Sequence, residues 1–191
     1  MKEKEVLRIY LEQYELLEED IMELRKYVKL DSKNYSTFSS KLLKIFMQVC
    51  SEIDSILDEY IRQNDLQTDN KYMNFCQKIQ EVQQAVYDRK QVQLSAERVR
   101  VSVGKFNGST ITPFGQLSSS ETTNWWHAHN HVKHNRTKKD DNGGWNYEKA
   151  NLKNVLYAMA GLFIILYAFF SNELLDEDND IISSRLFKRI P

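Results

Sequence analysis

The chain has 191 residues, 41% of them hydrophobic and 28% charged, which excludes intrinsic disorder as its default state. That length suits one domain able to bury about two-thirds of its unfolded surface. With 26 basic residues against 27 acidic ones, the net charge is −1, so any nucleic-acid contact must come from a local patch.

Two prolines and six glycines leave little to interrupt helices. Residues 1–5 are charged and lead straight into a helical pattern, so no signal peptide is expected and the expected setting is cytoplasmic. Val6, Tyr10, Tyr14, Leu17, Ile21, Leu24 and Val28 recur at spacings of three and four, which predicts a helix over residues 3–29. Residues 29–36 are polar and turn-like. Thr37 is the predicted N-cap of a second helix reaching Arg62, with Phe38, Leu42, Ile45, Val49, Ile53, Ile56 and Tyr60 as its stripe. A third helix, predicted to begin at Thr68 or Asp69, carries Tyr72, Phe75, Ile79, Val82 and Val86. Cys50 and Cys76 fall on the apolar faces of these helices and read as core residues of a reducing compartment.

The period then changes to two. Val99, Val101 and Val103 alternate with Arg98, Arg100 and Ser102, a strand pattern. Residues 104–123 are rich in Gly, Ser and Thr and broken by Pro113. A long irregular or short β-hairpin insertion is therefore expected near residues 98–122. Thr123 or Asn124 is the predicted cap of the next helix, which ends in turn-forming residues 137–144. Asn146 is the predicted cap of the last helix, with Glu148 in its first turn.

Residues 155–170 carry no charge. The run falls short of the ~20 apolar residues of a membrane span, which predicts instead a central helix buried on all sides. From Asp176 the chain turns acidic and then basic, so residues 176–191 are expected to form a charged, fraying tail. The expected fold is all-α: an up-and-down bundle of about five helices within a single domain over residues 1–175.

Residues 125–136 hold all four histidines and two of the three tryptophans. At 100° per residue His127, His131 and His134 fall within about 60° of one another, while His129 points the other way. Such a trio could ligate zinc. No thiolate cluster accompanies it, so solvating histidines are the favoured reading and no cofactor is expected. Asn130 and His134 stand one turn apart, with Lys133 beside them and Arg136 beyond. An imidazole can move protons near neutral pH, and Lys and Arg can hold phosphate, so the group could bind or cleave a phosphodiester. The alternative is a buried, hydrogen-bonded Asn130–His134 pair. Trp125 and Trp126 could stack nucleobases, but they point about 100° apart, so at least one is expected in the core. Glu52 and Asp54 lie on or beside the apolar stripe of the second helix. A cationic partner is expected for them, with Lys133, His134 or Arg136 as candidates and Glu52 in ion-pair reach.

Several short runs also recur in order: Phe38-Ser39, Cys50-Ser51-Glu52-Ile53-Asp54, Thr112-Pro113-Phe114, Trp125-Trp126, Asn130-His131-Val132-Lys133-His134-Asn135-Arg136, and Ala150-Asn151-Leu152-Lys153-Asn154-Val155-Leu156. Across residues 35–170 this order resembles bacterial proteins of the HEPN-like type. The resemblance implies an all-helical bundle, often dimeric. For members with an Arg-x4-6-His motif, it also implies metal-independent ribonuclease activity in toxin and phage-defence systems. His134 matches the motif histidine. The motif arginine would occupy position 127, 128 or 129, which here are His127, Ala128 and His129. Two functions follow. One is an effector that binds RNA or a nucleotide, with His134 as general acid/base, Lys133 or Arg136 steadying the phosphate, and Asn130 beside them. The other is a non-enzymatic interaction module, antitoxin-like or a defence-complex subunit. A homodimer or a partner protein is implied, and no membrane.

Overall fold

The computed structural model describes residues 2–66, 73–103, 106–117, 123–170 and 182–190. Five helices dominate: α1 (Lys2–Leu24), α2 (Ser40–Gln63), α3 (Phe75–Lys90), α4 (Asn124–Asn135) and α5 (Leu152–Phe170). Strands β1 (Arg98–Val103), β2 (Phe106–Ile111) and β3 (Phe187–Ile190) form an antiparallel sheet in the order β2-β1-β3. The protein is thus mainly helical with a small sheet, not all-α.

α5 lies at the centre, against α1, α2, α3 and α4. By length and composition it could cross a membrane, yet 78% of its most apolar window is buried inside the protein. That is the outcome its all-round apolarity predicts for a core helix. α2 packs beside it with Leu42, Ile45, Phe46, Val49, Ile53 and Ile56 buried. Gly161 lets the α4 side approach closely: a Cβ there would sit 3.3 Å from Phe114 and 3.4 Å from Trp125.

Several helix ends differ from the sequence expectation. α1 stops at Leu24, where the Lys26 and Tyr27 N–H groups bond to Glu23 and Leu24 and tighten the chain into a turn. Ser39, not Thr37, caps α2, its hydroxyl accepting the Leu42 N–H at 3.1 Å. Thr37 serves elsewhere, its carbonyl accepting the Leu152 N–H at 2.8 Å. α3 begins at Phe75 behind a capping box of Asn74 and Gln77; Thr68, Asp69 and Tyr72 lie outside the described residues. Asn146 does not cap α5. It opens a separate 3₁₀ turn (Asn146–Lys149), and the cap is Asn151, whose Oδ1 accepts the Asn154 N–H at 3.1 Å.

The insertion near residues 98–122 contains the short hairpin, β1 with β2, with a bulge between Arg100 and Ser102. Val99, Val101 and Val103 all face the core, as their alternation requires. The expectation of a fraying tail is overturned for residues 182–190. Leu186 and Phe187 are buried, β3 pairs with β1, and Phe187 meets Phe163 of α5 at 6.1 Å. Arg189 forks onto Glu97 at 2.6 and 3.0 Å and donates to the Tyr167 hydroxyl at 2.6 Å. Apolar side chains and a bidentate ion pair hold this segment, despite its charged composition. Residues 176–181 lie outside the described residues.

Candidate functional site

One face of α4 anchors it. Trp125 Nε1 donates to the Pro113 carbonyl at 2.8 Å, and its ring meets Phe75 and Phe114 edge-on at 5.7 and 6.1 Å. Trp126 stacks on Phe75 at 3.8 Å. Both tryptophans are buried, so neither offers a face to a nucleobase. His129 joins them, 4.7 Å from Trp126 and 6.1 Å from Phe46, only 4% exposed. Its Nδ1 has no hydrogen-bond partner. Burial, reinforced by nearby Lys133, lowers its pKa to about 4, so the ring is neutral.

The other face looks outward. His127, Asn130, His131, Lys133, His134 and Arg136 are exposed. The 100° rule thus sorts the four histidines as expected. Asn130 and His134 are not a buried pair, and His134 makes no hydrogen bond among the described residues. Arg136 Nε reaches back to the Val132 carbonyl at 3.5 Å. The three-histidine metal site is not formed: among the described residues no three His, Cys, Asp or Glu side chains group to hold an ion. A straight helix sets His127 and His134 about 10 Å apart, and among the described residues no second element brings a ligand between them.

The acids on α2 find a different partner. Asp54 pairs with Lys78 of α3 at 2.7 Å, and the same ammonium holds Asp58 at 2.7 Å. Glu52 has no ion pair or hydrogen bond among the described residues, and burial raises its pKa. The expected link from Glu52 to residues 130–136 is therefore absent. Lys133 is near enough for its charge to act on Cys50 and His129, but it forms no ion pair there. Cys50 is buried, Cys76 is half-buried, and they form no disulfide.

Beyond α4 the structure assembles a feature that composition presented only as a turn. Residues 136–139 run antiparallel to residues 145–147. The Asn146 N–H bonds to Lys138 O at 2.9 Å and the Tyr147 N–H to Arg136 O at 3.2 Å, while Lys139 pairs with Trp145. Asp140 closes this ribbon. Its Oδ1 accepts the N–H groups of Asn142 and Gly144, each at 3.0 Å, and its Oδ2 meets Lys149 at 2.5 Å. The Lys149 contact, then these backbone bonds, hold its carboxyl below the usual range. Gly143, at φ +82°, supplies the left-handed residue the turn needs. Between ribbon and helix lies an open cleft of about 430 Å³, lined by His131, Asn135, Lys138, Lys139, Asn146 and Lys149 together with Asp140, Asp141 and Asn142. The run Lys138-Lys139 was its one visible signal in the sequence.

No family model, curated protein or solved structure matches the chain.

Proposed function

We propose that this chain is a HEPN-like helical protein that binds RNA or a nucleotide through the outward face of α4. One observation carries the reading. Residues 123–139 contain four histidines with Lys133, Arg136, Lys138 and Lys139 and no acid, in a chain of net charge −1. α4 turns His127, Asn130, His131, Lys133 and His134 of that run to solvent, with Arg136 exposed just beyond. Exposed cations gathered on one surface attract phosphates and release their counterions. The helices are read as the up-and-down bundle of that type, with α5 at its centre. A homodimer or partner protein in a toxin or antiviral defence system belongs to the same reading. So does the cytoplasm, where two cysteines without a disulfide are at home.

Cleavage would use His134 as general acid/base, with Asn130 beside it and Lys133 or Arg136 steadying the phosphate, and no metal. Against it stand the absence of arginine at positions 127–129 and, among the described residues, the lack of a hydrogen-bonded group that orients His134. These two observations favour a second reading, a non-catalytic binding module.

The test is incubation of the full chain with labelled RNA, with and without chelator, following binding and strand scission separately. Binding with scission that His134→Ala abolishes supports the nuclease. Binding without scission supports the module. No binding to any RNA or nucleotide overturns the proposal.

A further inference from the structure

We infer that the cleft beyond α4 seats the phosphate of an unpaired ribonucleotide whose base lies on Trp145. This rests on the RNA-binding reading above and narrows its ligand to single-stranded RNA. Two features of the cleft and an exposed ring joined to it through Lys139 support it.

The first is charge. Lys138 and Lys139 line the cleft. Asp140 does not cancel them, because its carboxylate is already engaged by Lys149 and two backbone N–H groups. Asp141, the remaining acid of the lining, is exposed to water. Lys138 has no ion-pair partner among the described residues.

The second is Trp145. While Trp125 and Trp126 are buried, Trp145 is 40% exposed and paired through its backbone to the ribbon. Lys139 Nζ lies 5.0 Å over its ring, which ties the aromatic surface to the cations of the cleft. An aromatic ring beside lysines is the arrangement that holds successive bases and phosphates of a single strand. A duplex keeps its base faces stacked internally and cannot offer one to this ring.

The third is Asn146. It is 3% exposed and lines the cleft. Its Nδ2 donates to the Asn135 carbonyl at 3.0 Å, but its Oδ1 has no partner. A desolvated acceptor fits a donor from the ligand, either a ribose hydroxyl or an exocyclic amine.

The experiment titrates the full chain with a short single-stranded RNA, the same RNA as a duplex, a nucleoside monophosphate and inorganic phosphate. It reads anisotropy of labelled RNA and tryptophan emission. Expected are preference for the single strand, quenched emission that Trp145→Phe abolishes, and about tenfold weaker binding for Trp145→Ala. Joint Lys138→Ala and Lys139→Ala should weaken binding and flatten its salt dependence by roughly 0.7 for each phosphate the lysines no longer neutralise. The monophosphate should compete better than phosphate and worse than RNA. Circular dichroism checks that these surface variants fold.

If Trp145→Ala and the lysine pair bind RNA like wild type while Asn130→Ala or His134→Ala weakens it, the cleft inference falls and the α4 reading stands. Equal affinity for duplex and single strand with unquenched emission also overturns it. A monophosphate binding as tightly as the RNA overturns the assignment to a strand. Failure of wild type to bind any RNA removes the functional reading, and this inference with it.

Discussion

Glu18 of α1 and Leu186, 168 residues later, are joined by a hydrogen bond of 3.1 Å from the Leu186 N–H to Glu18 Oε1. The carboxylate is only 3% exposed. It also accepts the Arg185 N–H at 3.1 Å and Arg185 Nε at 3.2 Å, and it contacts the hydroxyls of Ser184 and Tyr14. Burial, followed by the charge of Glu18, pushes the Tyr14 phenol well above its ordinary pKa. One side chain thus fastens the residues leading into β3 onto the first helix.

Replacing it should loosen both ends. Glu18→Ala takes the acceptor from the Arg185 N–H and leaves the Leu186 N–H and the Tyr14 hydroxyl with Ser184 Oγ alone, a loss of about 2 kcal/mol. Urea unfolding should show the lower stability, and amide exchange should show faster opening at residues 186–190 than in α5. Wild-type stability for this variant would mean that the clamp is idle.

His129 predicts a pH dependence with a definite sign. Its folded pKa is near 4 against an ordinary 6.5, so between those values the unfolded chain binds the proton that the folded chain refuses. The stability it contributes is present above about pH 6.5 and is lost as pH falls toward 4. The full linkage is on the order of 3 kcal/mol, about 2 after solvent screening. Stability curves from pH 7 to 4 should therefore slope less in His129→Leu than in wild type, and parallel curves would refute the assignment.

The tryptophans should divide by burial. Trp125→Phe removes the bond to Pro113 O and part of a fully packed ring, costing about 2–3 kcal/mol. Trp145→Phe, on the surface, should stay within about 0.5 kcal/mol of wild type. Thermal or urea denaturation of the two variants side by side makes the comparison.

His134→Ala should leave stability within about 0.5 kcal/mol of wild type, since the ring is exposed and makes no hydrogen bond among the described residues. Chelation should leave the melting temperature and RNA binding unchanged, because no described side chains group to hold an ion. A zinc-dependent rise in melting temperature, lost in His127→Ala and His131→Ala, would restore the three-histidine site.

Periodicity along the chain determined the helical character, the valine face of β1, the burial of α5 and the two faces of α4. Each is a local property: 3.6 residues per helical turn or two per strand repeat decides which side chains share a side. Where helices stop was less legible. Thr37 and Ser39 are both capping residues, and only the docking of residues 35–38 against the start of α5 decides which one serves. The partners of charged groups were not legible at all. Asp54 meets Lys78 because α3 packs on α2 and brings that ammonium to 2.7 Å, although α4 packs on α2 as well. The C-terminal residues read as a fraying tail because their composition is charged, yet Glu97 and Glu18 wait far upstream to receive Arg189 and Arg185. The cleft likewise exists only once residues 136–139 pair with residues 145–147 and bring Asn146 beside three lysines. Periodicity carries no information about which distant surfaces meet. That choice belongs to packing, where a buried charge or amide settles wherever the fold supplies its partner.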